Sequence, residues 1–159
     1  MTLAQLQPRI DRNDFDKVAP GIGAALRALT KAVDDSGLDK PLTELLKVRA
    51  SQINGCAFCL QYHLNLARQF GVPQAKLDLL PVWREAASYT ERERAALAWT
   101  EALTQMGGHA TDDPSESAYL QLQQHFSDAE ISFLSAAVAA INAWNRIAGG
   151  LRFTPPPSA

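Results

Sequence analysis

A chain of 159 residues with 47% apolar content is long enough to bury one substantial core, and no shift in composition marks a second unit, so a single domain over 1–154 is expected. The formal net charge of −2, with acids and bases interspersed, excludes the electrostatic footprint of a nucleic-acid binder or of a protein held on an anionic membrane. The amino-terminal residues lack a basic start followed by an apolar run, and no stretch of about 18 uncharged apolar residues occurs, which makes a soluble cytoplasmic protein the expectation.

Taken in chain order, almost every segment reads as helix. Pro20 opens a stretch in which Ile22, Leu26, Leu29 and Val33 repeat at helical spacing up to Gly37, and Leu42, Leu45, Leu46, Val48 and Ile53 mark the next helix. Asn54-Gly55 stops that helix, and another begins at or near Cys56 and runs to Phe70, where Gly71-Val72-Pro73 ends it. A short helical piece follows to about Leu80, then a turn at Pro81 around Trp83. Thr90-x-x-Glu93 is a capping box ahead of Ala96, Leu97, Trp99, Leu103 and Met106, with Gly107-Gly108 as the stop. Asp113-Pro114 begins a helix through Tyr119 and Leu122. Ser127-x-x-Glu130 caps the last one, in which Ile131, Leu134, Val138 and Ile141 repeat until Gly149-Gly150. No strand pattern remains, so the class is all-α with two helices ahead of position 56. The prolines at 155–157 cannot join a helix interior, and the 155–159 tail is expected to be loose.

The chemistry concentrates in one place. Cys56 and Cys59 are the only cysteines, His63 follows one turn later and Glu44 precedes by twelve residues, giving E-x11-C-x2-C-x3-H. On a helix, Cys56, Cys59 and His63 share a face. Backbone N–H groups at the helix start favour a thiolate there, and the thiolate is the nucleophile. An antiparallel return of the two helices would bring Glu44 back to the same site, where burial would raise its pKa and suit it to accept a proton. Glu44 and His63 are therefore expected to act on the proton and not on stability. Two other readings fit the same residues: a zinc site formed by Cys56, Cys59, His63 and Glu44, and chance packing of two small thiols. Structural zinc usually draws on two ligand pairs, and the sequence has no second pair; no metal is assigned.

The segment Lys47-Val48-Arg49-Ala50-Ser51-Gln52-Ile53-Asn54-Gly55-Cys56-Ala57-Phe58-Cys59, set within Glu44-x11-Cys56-x2-Cys59-x3-His63, resembles the core of the alkylhydroperoxidase AhpD / carboxymuconolactone decarboxylase family in its CxxC-containing branch. Trp83-Arg84-Glu85, the run from Glu93 to Trp99 and that from Ile141 to Arg146 are similar to further segments of it, so the resemblance covers 38–148. It implies an AhpD-like helical bundle built around a helix-turn-helix that carries the CxxC motif, and a thiol-dependent peroxidase or dithiol oxidoreductase. By that resemblance Cys59 attacks the peroxide, Cys56 resolves the sulfenic acid into a disulfide, and Glu44 with His63 relays the proton through a water. The partners implied are a hydroperoxide, an external dithiol or protein reductant, and copies of the same chain in a trimer or hexamer; no cofactor is implied. One departure stands out. The family's well-known alkylhydroperoxidase has a further histidine directly before its second cysteine, where this chain has Phe58, so His63 is expected to carry more of the proton load. A simple dipole argument also favours Cys56, nearer the helix start, as the more acidic thiol.

Two other functions use the same motif: a redox-sensing or scaffold protein whose disulfide controls assembly, and a decarboxylase-branch enzyme. Elsewhere the residues read as structure. His109 and His125 are expected in a loop and on a packed or surface face, and Trp83, Trp99 and Trp144 in the core or at subunit contacts. Asn142, Asn145 and Arg146 either line a pocket near the dithiol or satisfy buried helix ends, and Glu91-Arg92-Glu93-Arg94 reads as a solvated helix start with local ion pairs. There is no glycine-rich phosphate loop, no haem-attachment motif and no catalytic carboxylate pair.

Overall fold

Local capping chemistry sets most of the helix ends. In the computed structural model, which describes residues 7–107 and 114–159, the elements are α1 (Arg12–Val18), α2 (Pro20–Asp34), α3 (Lys40–Asn54), α4 (Ala57–Gln69), α5 (Gln74–Leu79), a 3₁₀ turn (Leu80–Glu85), α6 (Glu91–Thr104), α7 (Pro114–Leu122) and α8 (Asp128–Leu151). Both capping boxes form as the sequence indicates: Thr90 and Glu93 close the start of α6, and Ser127 and Glu130 that of α8. The helix stop at Gly108, the histidine at 109 and the Asp113 cap lie outside the described residues.

Two helix boundaries differ from the sequence reading. The short α1 carries a single buried side chain, Phe15, so it has no apolar repeat to detect; its start is fixed by the Asp11 carboxylate, which accepts from the Asn13 N–H at 2.8 Å. Among the described residues three helices therefore precede Cys56. At the other end, α8 runs through both Gly149 and Gly150 to Leu151. Arg152 takes the left-handed turn (φ 58°), and the Phe153 N–H returns to the Ala148 carbonyl at 2.9 Å while its ring is buried. Burial of Phe153 decides where this helix stops, overriding the glycine pair.

The organising element is α3, which packs against α4, α6 and α8. Its residues from Leu42 to Val48, with Ala50 and Ser51, are all buried, so its apolar and polar positions alike face protein. The main core gathers Leu45, Leu46, Leu80, Leu97, Leu122 and Leu134. A second, smaller cluster of Phe15, Ala50, Ile141, Ala148 and Phe153 surrounds the two cysteines. At the 155–159 segment, Asn65 of α4 donates to the Pro157 carbonyl at 2.9 Å and accepts from the Ala159 N–H at 3.1 Å. Proline bars this segment from a helix but leaves its carbonyls free to accept. No helix among the described residues is long and apolar enough to cross a membrane.

Candidate active site

The α3–α4 hairpin builds the site. Asn54 ends α3, Gly55 takes φ 67°, where a side chain is disfavoured, and Cys56 becomes the N-cap of α4. Its Sγ accepts from the Cys59 N–H at 3.3 Å, an orphan donor of the first turn. The two sulfurs stand at disulfide distance, with Cα atoms 5.4 Å apart. Although both cysteines are buried, they are not equivalent. Cys59 lines a cavity of about 230 Å³ together with His63, whereas Cys56 is not part of that lining; both belong to the small apolar cluster.

Glu44 meets the histidine. Its Oε2 lies 2.6 Å from His63 Nδ1, and its Oε1 accepts from Lys47 Nζ at 2.7 Å. Burial alone would raise the Glu44 pKa, but the hydrogen bond and charge of His63, with the Lys47 ammonium, outweigh it and hold the carboxyl below its usual value. The expectation that burial tunes Glu44 upward is therefore corrected: it is a fixed carboxylate. A carboxylate can only accept, so His63 presents an Nδ1–H to Glu44, and Nε2 is the ring nitrogen that Glu44 does not engage.

Sequence reasoning missed Lys47, which is 5% exposed and has its ammonium against Glu44. The one available signal was its i+3 position from Glu44 inside an apolar run. The Glu44 carboxylate is thus the counter-charge of the buried Lys47 ammonium as well as the partner of His63. Among the described residues no three His, Cys, Asp or Glu side chains are grouped to hold a metal ion.

The other polar residues mostly brace the frame. Asn145 is buried and bridges α8 to α3, accepting from Asn54 Nδ2 at 2.8 Å and donating to Ser51 Oγ at 3.0 Å; Asn142 accepts from the same Asn54 amide and donates to Thr104 Oγ1. Neither lines the cavity. Trp83 is core, donating to the buried Glu101, which also receives Arg49 and Arg84. Glu91 and Arg94 form the local ion pair read from the sequence, at 3.9 Å, but the charges at 92–94 also tie elements together: Arg92 reaches Glu130 and the His125 carbonyl, Glu93 takes Lys76, and Arg94 reaches the Arg84 and Ala86 carbonyls. Phe58, at the position of the family's extra histidine, forms cavity wall, stacked on Tyr62 (6.0 Å between centroids) and edge-on to Phe153 (5.5 Å).

Comparison with known proteins now decides the family, since the carboxymuconolactone decarboxylase family pattern matches residues 20–102. The chain belongs to the carboxymuconolactone decarboxylase family. It is 30% identical over 136 residues to the uncharacterized protein YdfG of Bacillus subtilis strain 168, covering 86% of this chain and 90% of YdfG. It is also similar to a crystal structure from Agrobacterium tumefaciens, a protein of unknown function described as an antioxidant defence protein AhpD, at 41% identity and a TM-score of 0.86 over 96% of this chain and 100% of the other. The AhpD-like all-α fold is thereby established. The debrominase Bmp8 shares this fold, with a TM-score of 0.75 at 21% identity over 86% of this chain and 72% of its own. The fold by itself therefore does not fix the chemistry, and activity has to be argued from the site.

Proposed function

We propose that the chain is a thiol-dependent hydroperoxide reductase that cycles between a Cys56/Cys59 dithiol and its disulfide. The observation that carries this reading is the asymmetry of the pair: Cys59 shares a cavity with His63, while Cys56, outside the cavity lining, stands at disulfide distance from it. His63 Nε2, with Nδ1 anchored on Glu44, takes the Cys59 thiol proton directly or through one water. The Cys59 thiolate attacks the terminal oxygen of the hydroperoxide, forming an S–O bond as the O–O bond breaks. The alkoxide leaves with the proton held by His63, as the alcohol. Cys56 sulfur then attacks the Cys59 sulfenic acid, expelling water and closing the disulfide, and an external dithiol restores both thiols while being oxidised to its own disulfide.

The helix start favours a thiolate at Cys56 as well, which suits that sulfur to the second attack. The same reading makes the chain one functional domain over 1–154, working in the cytoplasm as a homo-oligomer. Exposed Val18, Ile22 and Leu29 near and along α2 offer apolar surface for such assembly. Steady-state peroxide consumption with a dithiol reductant is the test. Sustained turnover supports the enzyme, whereas a single stoichiometric oxidation without turnover would identify a redox sensor instead.

A further inference from the structure

The cavity beside Cys59 has a chemical signature beyond the dithiol. Its walls are apolar and aromatic, with Phe58, Ile141, Trp144 and Phe153 contributing. A cavity of about 150 Å³ takes benzene, so about 230 Å³ suits one ring with a short substituent. The charged side chains on the lining are four cations, Arg12, Arg27, Lys31 and Lys47, against one carboxylate, Asp34.

Most of these charges already have partners. Arg27 pairs with Asp16, Lys31 with Asp35, Lys47 with Glu44, and Asp34 with Lys40. Arg12 differs. Its guanidinium lies over the rings of Phe58 (5.3 Å) and Tyr62 (5.8 Å), and no carboxylate among the described residues pairs with it. An exposed guanidinium over two ring faces, with no carboxylate of its own, has N–H groups to offer a carboxylate brought by a ligand. Helical geometry sets the register: Phe58 and Tyr62 form one strip along α4, and Cys59 and His63 form the adjacent strip, about 100° around the helix. An anion at Arg12 is therefore anchored alongside the reactive sulfur.

We propose that this cavity is a binding site for a small organic acid, with its apolar ring inside and its carboxylate on Arg12. The substrate class, resting on the peroxidase reading above, is then the hydroperoxide of an aromatic carboxylic acid and not a neutral alkyl hydroperoxide. Phe58 is a binding residue here, forming both the wall and the platform for Arg12.

The test uses two hydroperoxides with the same body, cumene hydroperoxide and its para-carboxylate, with calorimetry of 4-isopropylbenzoate, which lacks the peroxide, on the reduced protein. Wild type should favour the acid by at least about tenfold in kcat/KM, expressed in KM, as a charge-assisted contact would give. Arg12→Met should bring that ratio to within about threefold of one and weaken benzoate binding by at least about tenfold. Lys17→Met, on the same helix but off the cavity, should leave both unchanged, and circular dichroism verifies folding. Benzoate binding lost in Arg12→Met with neither hydroperoxide consumed would keep the acid site and overturn the peroxidase reading. Turnover of both compounds with a ratio that Arg12→Met does not move would overturn the acid site and keep the peroxidase. Absence of benzoate binding to wild type also overturns it.

Discussion

Replacing Glu44 by Gln removes the one carboxylate that serves both Lys47 and His63, so its effect on stability can be worked from the structure. The Lys47 and Glu44 side chains are 7% and 1% exposed, and their atoms lie 2.7 Å apart. Removing one partner of a buried pair leaves the other charge uncompensated, at a cost of roughly 3–5 kcal/mol. At about 2–4 °C per kcal/mol for a chain of this size, Glu44→Gln should melt roughly 6–20 °C below wild type at pH 7. Adding Lys47→Met to Glu44→Gln should recover most of that loss, because no buried charge is then left behind. The pH dependence carries a sign. The folded-state pKa of Glu44 is lowered from 4.5, so its contribution is fully present above that value and is lost as pH falls through the folded pKa; the gap between wild type and Glu44→Gln should narrow in acid. Thermal and urea melts across this range read all three effects. An unchanged melting temperature in Glu44→Gln, or a double variant no better than the single, would refute the buried-counterion argument.

Cys59→Ser should abolish peroxide consumption, whereas Cys56→Ser should form sulfenic acid on Cys59 and stop there; dimedone labelling with mass spectrometry reads the difference, and a label on Cys56 in the Cys59→Ser protein with none on Cys59 in its counterpart reverses the assignment. His63→Gln should keep helix content but lower turnover by about 10²- to 10⁴-fold, the usual worth of a positioned acid–base group, and should raise the apparent thiol pKa in an iodoacetamide rate profile. Asn145→Ala breaks the bonds to Asn54 and Ser51 at a buried position. It should cost about 2 kcal/mol, or roughly 4–8 °C in melting temperature, without changing dimedone labelling of Cys56→Ser.

What the sequence disclosed follows from the range of the interactions involved. The Thr90–Glu93 and Ser127–Glu130 boxes and the Asn54-Gly55 stop are closed within a few residues, so their ends could be read directly. The pairing of Glu44 with His63 was legible because one tight hairpin joins their helices. The sign of the Glu44 shift was not, since it depends on Lys47 and His63 being turned toward it against a burial effect of opposite sense. Arg92, Glu93 and Arg94 looked like local pairs but also find partners on other elements, and the α8 terminus is decided by packing of Phe153. Arg12 belongs with these: its helix has one buried residue, and its place over Phe58 and Tyr62 exists only once the chain has closed.

The central claim is that Cys59 and Cys56 together reduce one hydroperoxide per cycle, and a titration tests it most directly. Fully reduced protein is treated with one equivalent of an organic hydroperoxide, its thiols are counted, and the peptides are mapped by mass spectrometry. The account expects two thiols lost per chain, one alcohol formed per chain and a Cys56–Cys59 linkage that a dithiol reverses. Two free thiols persisting in the folded protein while the hydroperoxide remains unreduced would contradict it.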